Sequence, residues 1–345
     1  MQIITDNFRC KGSFKICFGR IFIQKPRNLH DCNLKSRNKM TNKFISSTII
    51  ILSMFSLLFL LGSYTSGEKM EGKESSTKEG YDLPQRVQSI SLNKEYDFAG
   101  EKIPLNADTK ERLDRELLVN SYWQSSTLLN IKLAKKFFSE IEPILKKEGI
   151  PDDFKYLALA ESGLRNVTSS AGAKGYWQFL KGAATDYGLE VNSEVDERYH
   201  LEKSTQAACK YLKKLKNQFG SWVNAAGAYN MGPTNFSAQC KSQSEDNYFD
   251  LNLGEESSRY VFRLVAMKEI LKNPEAFGFY VEENQYYDAM PDFYEISVTE
   301  SIPDMGTFAH KYGVSYRMLK YYNPWLIDNQ LTVRNNTYTI KIPKK

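Results

Sequence analysis

The chain has 345 residues, 46 Lys+Arg against 41 Asp+Glu and a 41% hydrophobic content. That suits about two domains and can fill packed cores, which excludes a chain disordered throughout. The net charge of +5 belongs to the start: residues 1–43 hold ten Lys and Arg against two Asp, and the remainder carries 36 against 39, so no basic face is left for a run of phosphates and nucleic acid is not expected as a partner.

Residues 1–43 read as a basic leader, with Met40 just before the next segment as the expected initiator. Residues 44–66 carry no charged side chain and are densest in apolar residues over Ile49–Leu61. A basic flank, an apolar run of about a dozen residues and a small-residue exit describe a secretory signal, with an uncleaved membrane anchor as the competing reading. Either one exports the C-terminal part of the chain, to a periplasm or cell envelope. Residues 67–82 read as a linker. Cys10, Cys17, Cys32 and His30 fall in the leader, leaving Cys209, Cys240, His200 and His310 downstream. No CxxC or CxxxC pair is present, and neither metal nor cofactor is expected. In an exported protein Cys209 and Cys240 could pair; Cys209 serves equally well as a small buried apolar residue.

Downstream, residues 83–105 alternate weakly and are expected to form short extended segments. Helical periodicity then predicts Lys110–Val119, Trp123–Lys147, Asp152–Glu161, Gly182–Tyr187, Leu201–Phe219, Trp222–Tyr229 and Arg259–Lys272. Cys240 is expected in a loop. Residues 83–285 thus read as one mainly helical domain. A connector over Glu282–Pro291 precedes a small strand–helix–helix–strand unit at 292–345: Phe293–Val298, Ile302–Tyr312, Tyr316–Tyr322 and Tyr338–Ile342.

The chemistry centres on Glu161. It ends an apolar stretch, Phe154-Leu157-Ala158-Leu159-Ala160, just before Ser162-Gly163. Apolar surroundings and a helix C-terminus both raise a carboxyl pKa, and a carboxylic acid still protonated near neutrality is what a glycosidic oxygen needs as general acid. Gly175-Tyr176-Trp177-Gln178-Phe179 offers aromatic faces and an amide, a combination suited to pyranose rings, with aromatics of the core as the equal alternative. Ala228-Tyr229-Asn230-Met231-Gly232 gives a second polar–aromatic turn, and Glu256–Val261 a third cluster with Tyr260 opening the last helix.

In order and spacing these four motifs resemble the lytic transglycosylases of the lysozyme-like superfamily, and within them the membrane-bound lytic murein transglycosylase D type, over roughly residues 85–280. The resemblance implies a lysozyme-like helical catalytic domain. It makes Glu161 the single catalytic acid/base and has Ser162 orient it or the substrate. Gln178, Tyr229 and Asn230 would line the cleft, and Glu256 and Tyr260 would add to substrate binding. The implied reaction cleaves the β-1,4 bond between N-acetylmuramic acid and N-acetylglucosamine in peptidoglycan glycan strands, leaving 1,6-anhydromuramoyl ends. A hydrolytic muramidase on the same fold and a non-catalytic wall-binding protein are the alternatives.

The C-terminal unit resembles a LysM domain through Tyr294-Glu295-Ile296, Phe308–Val314, Leu319, Asn323-Pro324 and Ile340–Pro343. That likeness implies glycan binding, although Thr299-Glu300-Ser301 stands where the family has Gly-Asp-Thr. His310 reads as a surface or half-buried helix residue.

Overall fold

In the computed structural model, residues 88–290 and 292–344 are described. The leader, the apolar segment 44–66 and the linker 67–82 lie outside the described residues. Strands β1 (Asp97–Phe98) and β2 (Glu101–Lys102) form a small hairpin in the stretch expected to be extended. Ten α-helices are found among the described residues: α1 Ala107–Tyr122, α2 Gln124–Lys147, α3 Lys155–Ser162, α4 Lys181–Asp186, α5 Leu201–Phe219, α6 Trp222–Met231, α7 Pro233–Gln243, α8 Glu255–Lys272, α9 Met305–Lys311 and α10 Tyr316–Tyr322. Strand β3 (Phe293–Val298) pairs antiparallel with β4 (Tyr338–Pro343), from Phe293 opposite Pro343 to Val298 opposite Tyr338. Among the described residues no helix is long and apolar enough to cross a membrane.

Several expectations from the sequence need correction. Helix α8 begins at Glu255 rather than Arg259, so Tyr260 lies inside it, and α9 begins only at Met305, with Ile302 in a β-bridge to Leu331. The stretch Asp152–Glu161 begins as a 3-10 turn, Asp152–Phe154, and becomes α-helical only at Lys155. Helix α7 occupies a stretch expected to be a loop, so Cys240 is helical. Its start is a Pro at the first helical position, where a missing N–H costs nothing. It buries only Phe236, too thin an apolar stripe for periodicity to reveal. Cys209 is buried in α5, Cys240 half-buried, and both are free thiols.

The core is built around α8. Val261, Phe262, Leu264, Val265, Ala266 and Ile270 are all fully buried, as expected of a helix enclosed on every side. Helices α1, α3 and α6 pack on it. Helix α1 begins at a capping box, Asn106 accepting from the Thr109 N–H and Thr109 from the Asn106 N–H, which satisfies two otherwise orphaned donors. Lys268 of α8 donates to Asp97 at 2.8 Å and Asp153 at 2.7 Å, tying the β1–β2 hairpin and the 3-10 turn to the central helix. Helix α5 turns Leu201, Thr205, Ala208, Leu212 and Leu215 inward at the i, i+4, i+7 spacing of an amphipathic helix.

The strand–helix–helix–strand module has its own core of Met305, Ala309, Leu319, Leu326, Leu331, Ile340 and Ile342, which also takes in Val195 from the helical body. Asn323 is fully buried. Its amide donates to the carbonyls of Leu319 and Lys341 at 2.9 and 2.7 Å, and its oxygen accepts from the Lys341 N–H at 2.8 Å. The Asn323-Pro324 pair is thus an internal brace between α10 and β4. Body and module together lie within a single compact unit, Pro84–Lys345.

Candidate active site

Glu161 is the penultimate residue of α3. The helix stops there because Gly163 adopts φ 59°, a left-handed conformation that a Cβ disfavours. This places the Glu161 side chain at the end of a helix whose Leu157, Ala158 and Leu159 are in the core. The carboxyl is half-buried, and its Oε1 accepts a hydrogen bond from the Tyr260 hydroxyl at 2.5 Å. Burial is the leading influence on its pKa. The Tyr260 hydrogen bond and the Arg263 charge oppose it, Glu256 reinforces it, and the acid ends up at about 7. A carboxyl so poised carries a proton near neutrality and can also give it up.

Two tyrosines flank it. Tyr260 is buried and Tyr229 half-buried. Burial, followed by the nearby Glu161 charge, holds both phenols well above their usual range, so both remain proton donors. Tyr229 donates to the Trp177 carbonyl at 2.7 Å.

The Gly172–Phe179 loop is tied to α3 through Ser162, the residue after Glu161. Ser162 is buried. Its hydroxyl lies 2.9 Å from the Tyr176 carbonyl and 3.0 Å from that of Ala158, and its one proton serves either. It therefore stitches the loop to α3. Gln178 sits at φ 49°, and its amide nitrogen donates to Gly175 at 2.8 Å and Val167 at 3.1 Å. Gly175 is needed for space: a Cβ there would stand 1.9 Å from the Arg198 carbonyl oxygen.

The loop aromatics do not present faces to a ligand. Trp177 is fully buried, and Tyr176 and Phe179 nearly so. The Trp177 indole donates to Thr205 of α5 at 2.9 Å, and Tyr176 packs on Phe137 with centroids 5.3 Å apart. Of the two readings open for these aromatics, the core one holds: they anchor the loop, and Gln178 is the half-buried polar side chain it offers.

The remaining candidates meet at the start of α8. Asn230, at the end of α6, accepts from the Ser257 hydroxyl at 3.1 Å. Glu256 is exposed on the first turn, and its charge registers at Glu161. The structure thus brings Glu161, Tyr229 and Tyr260 into one cluster, ties Ser162 and Gln178 to the loop beside it, and sets Asn230 and Glu256 at the junction of α6 and α8.

Sequence reasoning missed Glu116 and Arg263. Glu116 of α1 is fully buried and accepts from Arg259 and, at 3.3 Å, from Arg263. It holds in place the guanidinium whose charge reaches Glu161. The available signal was an acid on the Leu113–Leu117–Asn120 stripe, a polar break in an inward-facing row.

In the C-terminal module, Thr299, Glu300 and Ser301 are exposed, and the Ser301 hydroxyl accepts from the Val333 N–H at 2.9 Å. His310 is exposed on α9.

Two regions of the chain are similar to known protein families. Residues 139–252 match the Transglycosylase SLT domain, and residues 294–345 the soluble lytic transglycosylase C-terminal LysM-like domain. The membrane-bound lytic murein transglycosylase D of Escherichia coli strain K12 is 27% identical over 249 residues, 70% of this chain and 53% of that protein. The protein of the same name from E. coli O6:H1 is similar to the same extent. The chain therefore spans about half the length of the curated relatives it matches. A solved structure of an inactive variant of lytic transglycosylase Slt from Pseudomonas aeruginosa shares 17% identity with a TM-score of 0.32, covering 44% of this chain and 26% of that one. Three of the four ordered motifs, Glu161-Ser162, Gly175–Gln178 and Ala228–Gly232, fall in the first matched region, Glu256–Val261 lies just beyond it, and the strand–helix–helix–strand module coincides with the second, so in these two regions the chain is similar to a transglycosylase SLT domain followed by a LysM-like domain.

Proposed function

We propose that this chain is an exported peptidoglycan lytic transglycosylase of the cell envelope, with its catalytic domain over residues 83–285. The observation that carries the reading is Glu161: one half-buried carboxyl, poised at about 7 and hydrogen-bonded by a tyrosine. Protonated, it delivers its proton to the glycosidic oxygen between N-acetylmuramic acid and N-acetylglucosamine as the C1–O bond breaks. The carboxylate left behind then takes the proton of the muramoyl 6-hydroxyl, whose oxygen bonds to C1 and closes the 1,6-anhydro ring. The acid is regenerated and no water is consumed. Tyr260 steadies the carboxylate between these two transfers. With the Gln178 amide nitrogen engaged by two carbonyls, its oxygen is the acceptor offered to a substrate N–H or hydroxyl. Tyr229, Asn230 and Glu256 complete the proposed cleft, and Ser162 acts through the loop it holds.

Glu256 favours a second reading, hydrolysis. A second carboxylate near the acid is what a hydrolytic glycosidase uses to activate water or to attack. The products separate the two. Mass analysis of purified sacculi digested by the full chain should show 1,6-anhydro ends, one water lighter than the reducing ends a muramidase leaves. Glu161→Gln should lower the rate by at least about a hundredfold, the usual contribution of a general acid. A variant within about tenfold of wild type would remove Glu161 from that role.

A further inference from the structure

The LysM-like module does not hang from a tether; it is keyed into the catalytic body beside the substrate loop. The Asp196 N–H donates to the Trp325 carbonyl at 2.9 Å, and the Ile327 N–H to the Glu194 carbonyl at 2.9 Å. Between them Val195 and Leu326 form a β-bridge, and the Val195 side chain sits in the module's own core. The Glu194 carboxylate accepts from Gln330 at 2.9 Å and from the Thr332 N–H and hydroxyl at 2.6 and 3.0 Å. Tyr338 of β4 donates to Glu190 at 3.0 Å.

The same short segment then reaches the loop beside Glu161. Asp196 and Arg198 are both buried and form a two-pronged pair, Nε to Oδ1 at 2.8 Å and Nη2 to Oδ2 at 2.7 Å. The planar guanidinium fork is fixed by that pairing. Its remaining arm, Nη1, donates to the carbonyls of Gly172 at 3.3 Å and Phe179 at 3.2 Å, the two ends of the loop. Lys174 of the loop lies 3.7 Å from Asp196, and Gly175 rests directly on the Arg198 carbonyl. An unbroken chain of contacts runs from Trp325 and Leu326 through Asp196 and Arg198 to the loop carrying Gln178.

We propose that the LysM-like module is a fixed buttress of the substrate loop, with Arg198 the positioning residue through which it acts. The inference rests on the function proposed above only in calling that loop a substrate loop. It makes the module part of how the enzyme holds its substrate at the bond to be cut, whatever glycan the module itself binds.

The test uses the full chain with Glu194→Lys, which breaks the docking from the body side, and Arg198→Lys, which keeps the charge but loses the fork. Arg317→Ala, on the exposed side of the module, is the control. Hydrogen exchange read by mass spectrometry should show the amides of residues 174–179 exchanging at least about tenfold faster in both variants and within about twofold of wild type in the control. Kinetics on soluble glycan fragments should show KM raised about tenfold, with kcat and the pH profile set by Glu161 held within about twofold. Exchange of the loop unchanged in both variants would overturn the proposal. So would faster exchange spread equally over α5 and α8, which is general destabilisation, or a loosened loop with KM unaltered. A wild-type protein that yields no anhydro product would sink the catalytic reading instead, and the exchange measurement would still decide whether the module braces the loop.

Discussion

A carboxyl at about 7 is a balance of named neighbours, and each can be removed. Burial holds the Glu161 proton on, and Glu256 adds to that; Tyr260 and Arg263 favour the anion. On the proposed mechanism, catalysis by the protonated Glu161 fades as pH rises through its pKa, so the basic limb of the rate profile reports that balance. Glu256→Gln removes a nearby negative charge and should move the limb to lower pH. Tyr260→Phe removes a hydrogen bond to the anion and should move it to higher pH. Shifts of about half to one unit in opposite directions are expected from pH–rate profiles of the two variants. Movement in the same direction would show that the neighbours act through altered structure rather than charge. At this scale the sequence was informative about Glu161 itself, because an acid at the end of an apolar stretch is visible in one dimension. It was silent about Arg263, whose effect depends on α8 lying alongside α3.

Helices α1 and α8 are joined by more than apolar packing. Glu116 sits fully buried between Arg259 and Arg263, and the two guanidiniums one turn apart share one carboxylate. Removing it leaves two cations without their buried partner, so Glu116→Ala should cost about 3–5 kcal/mol in denaturant unfolding, the range for breaking a buried ion pair. A loss below about 1 kcal/mol would place the pair among weak surface bridges. Element boundaries were legible where a stripe and its caps coincide, as in α5, bounded by His200 and the left-handed Gly220. They were not where the stripe is thin. Helix α7 buries a single Phe236, so its Pro233 start is the one local signal that separates it from a loop, and no apolar stripe reinforces it. The aromatics of residues 176–179 stay ambiguous in the sequence for a related reason: composition shows that a ring is present, and only packing shows which way it faces.

At the scale of the whole molecule, body and module share one hydrophobic cluster through Val195. Trp325 stacks with His200 of the body, centroids 5.7 Å apart, and with Tyr338 of the module, 5.9 Å apart. Lys341 of β4 pairs with Glu202 of α5. Burial acts against the Glu202 charge, yet the hydrogen bonds and charges of His200 and Lys341 prevail and hold its pKa at about 2. Elements joined this way should unfold together. Scanning calorimetry of the full chain is expected to give one transition for body and module, and Val195→Asp to split it or lower its midpoint by several degrees, about what 1–2 kcal/mol produces. Two independent transitions in the wild type would mean that the shared cluster contributes little.

Taken alone, the sequence determined most of the helices in their order and the place of Glu161 at the end of an apolar stretch, because periodicity, caps and an apolar context are local properties that leave a trace in neighbouring residues. It also determined that a small strand–helix–helix–strand module comes after the helical body. Only the tertiary structure decided which groups surround Glu161, that Trp177 is an anchor rather than a platform, and that the module leans on the loop through Asp196 and Arg198. Those outcomes depend on residues far apart in the chain arriving at the same place, and contacts of that kind carry no periodic signature.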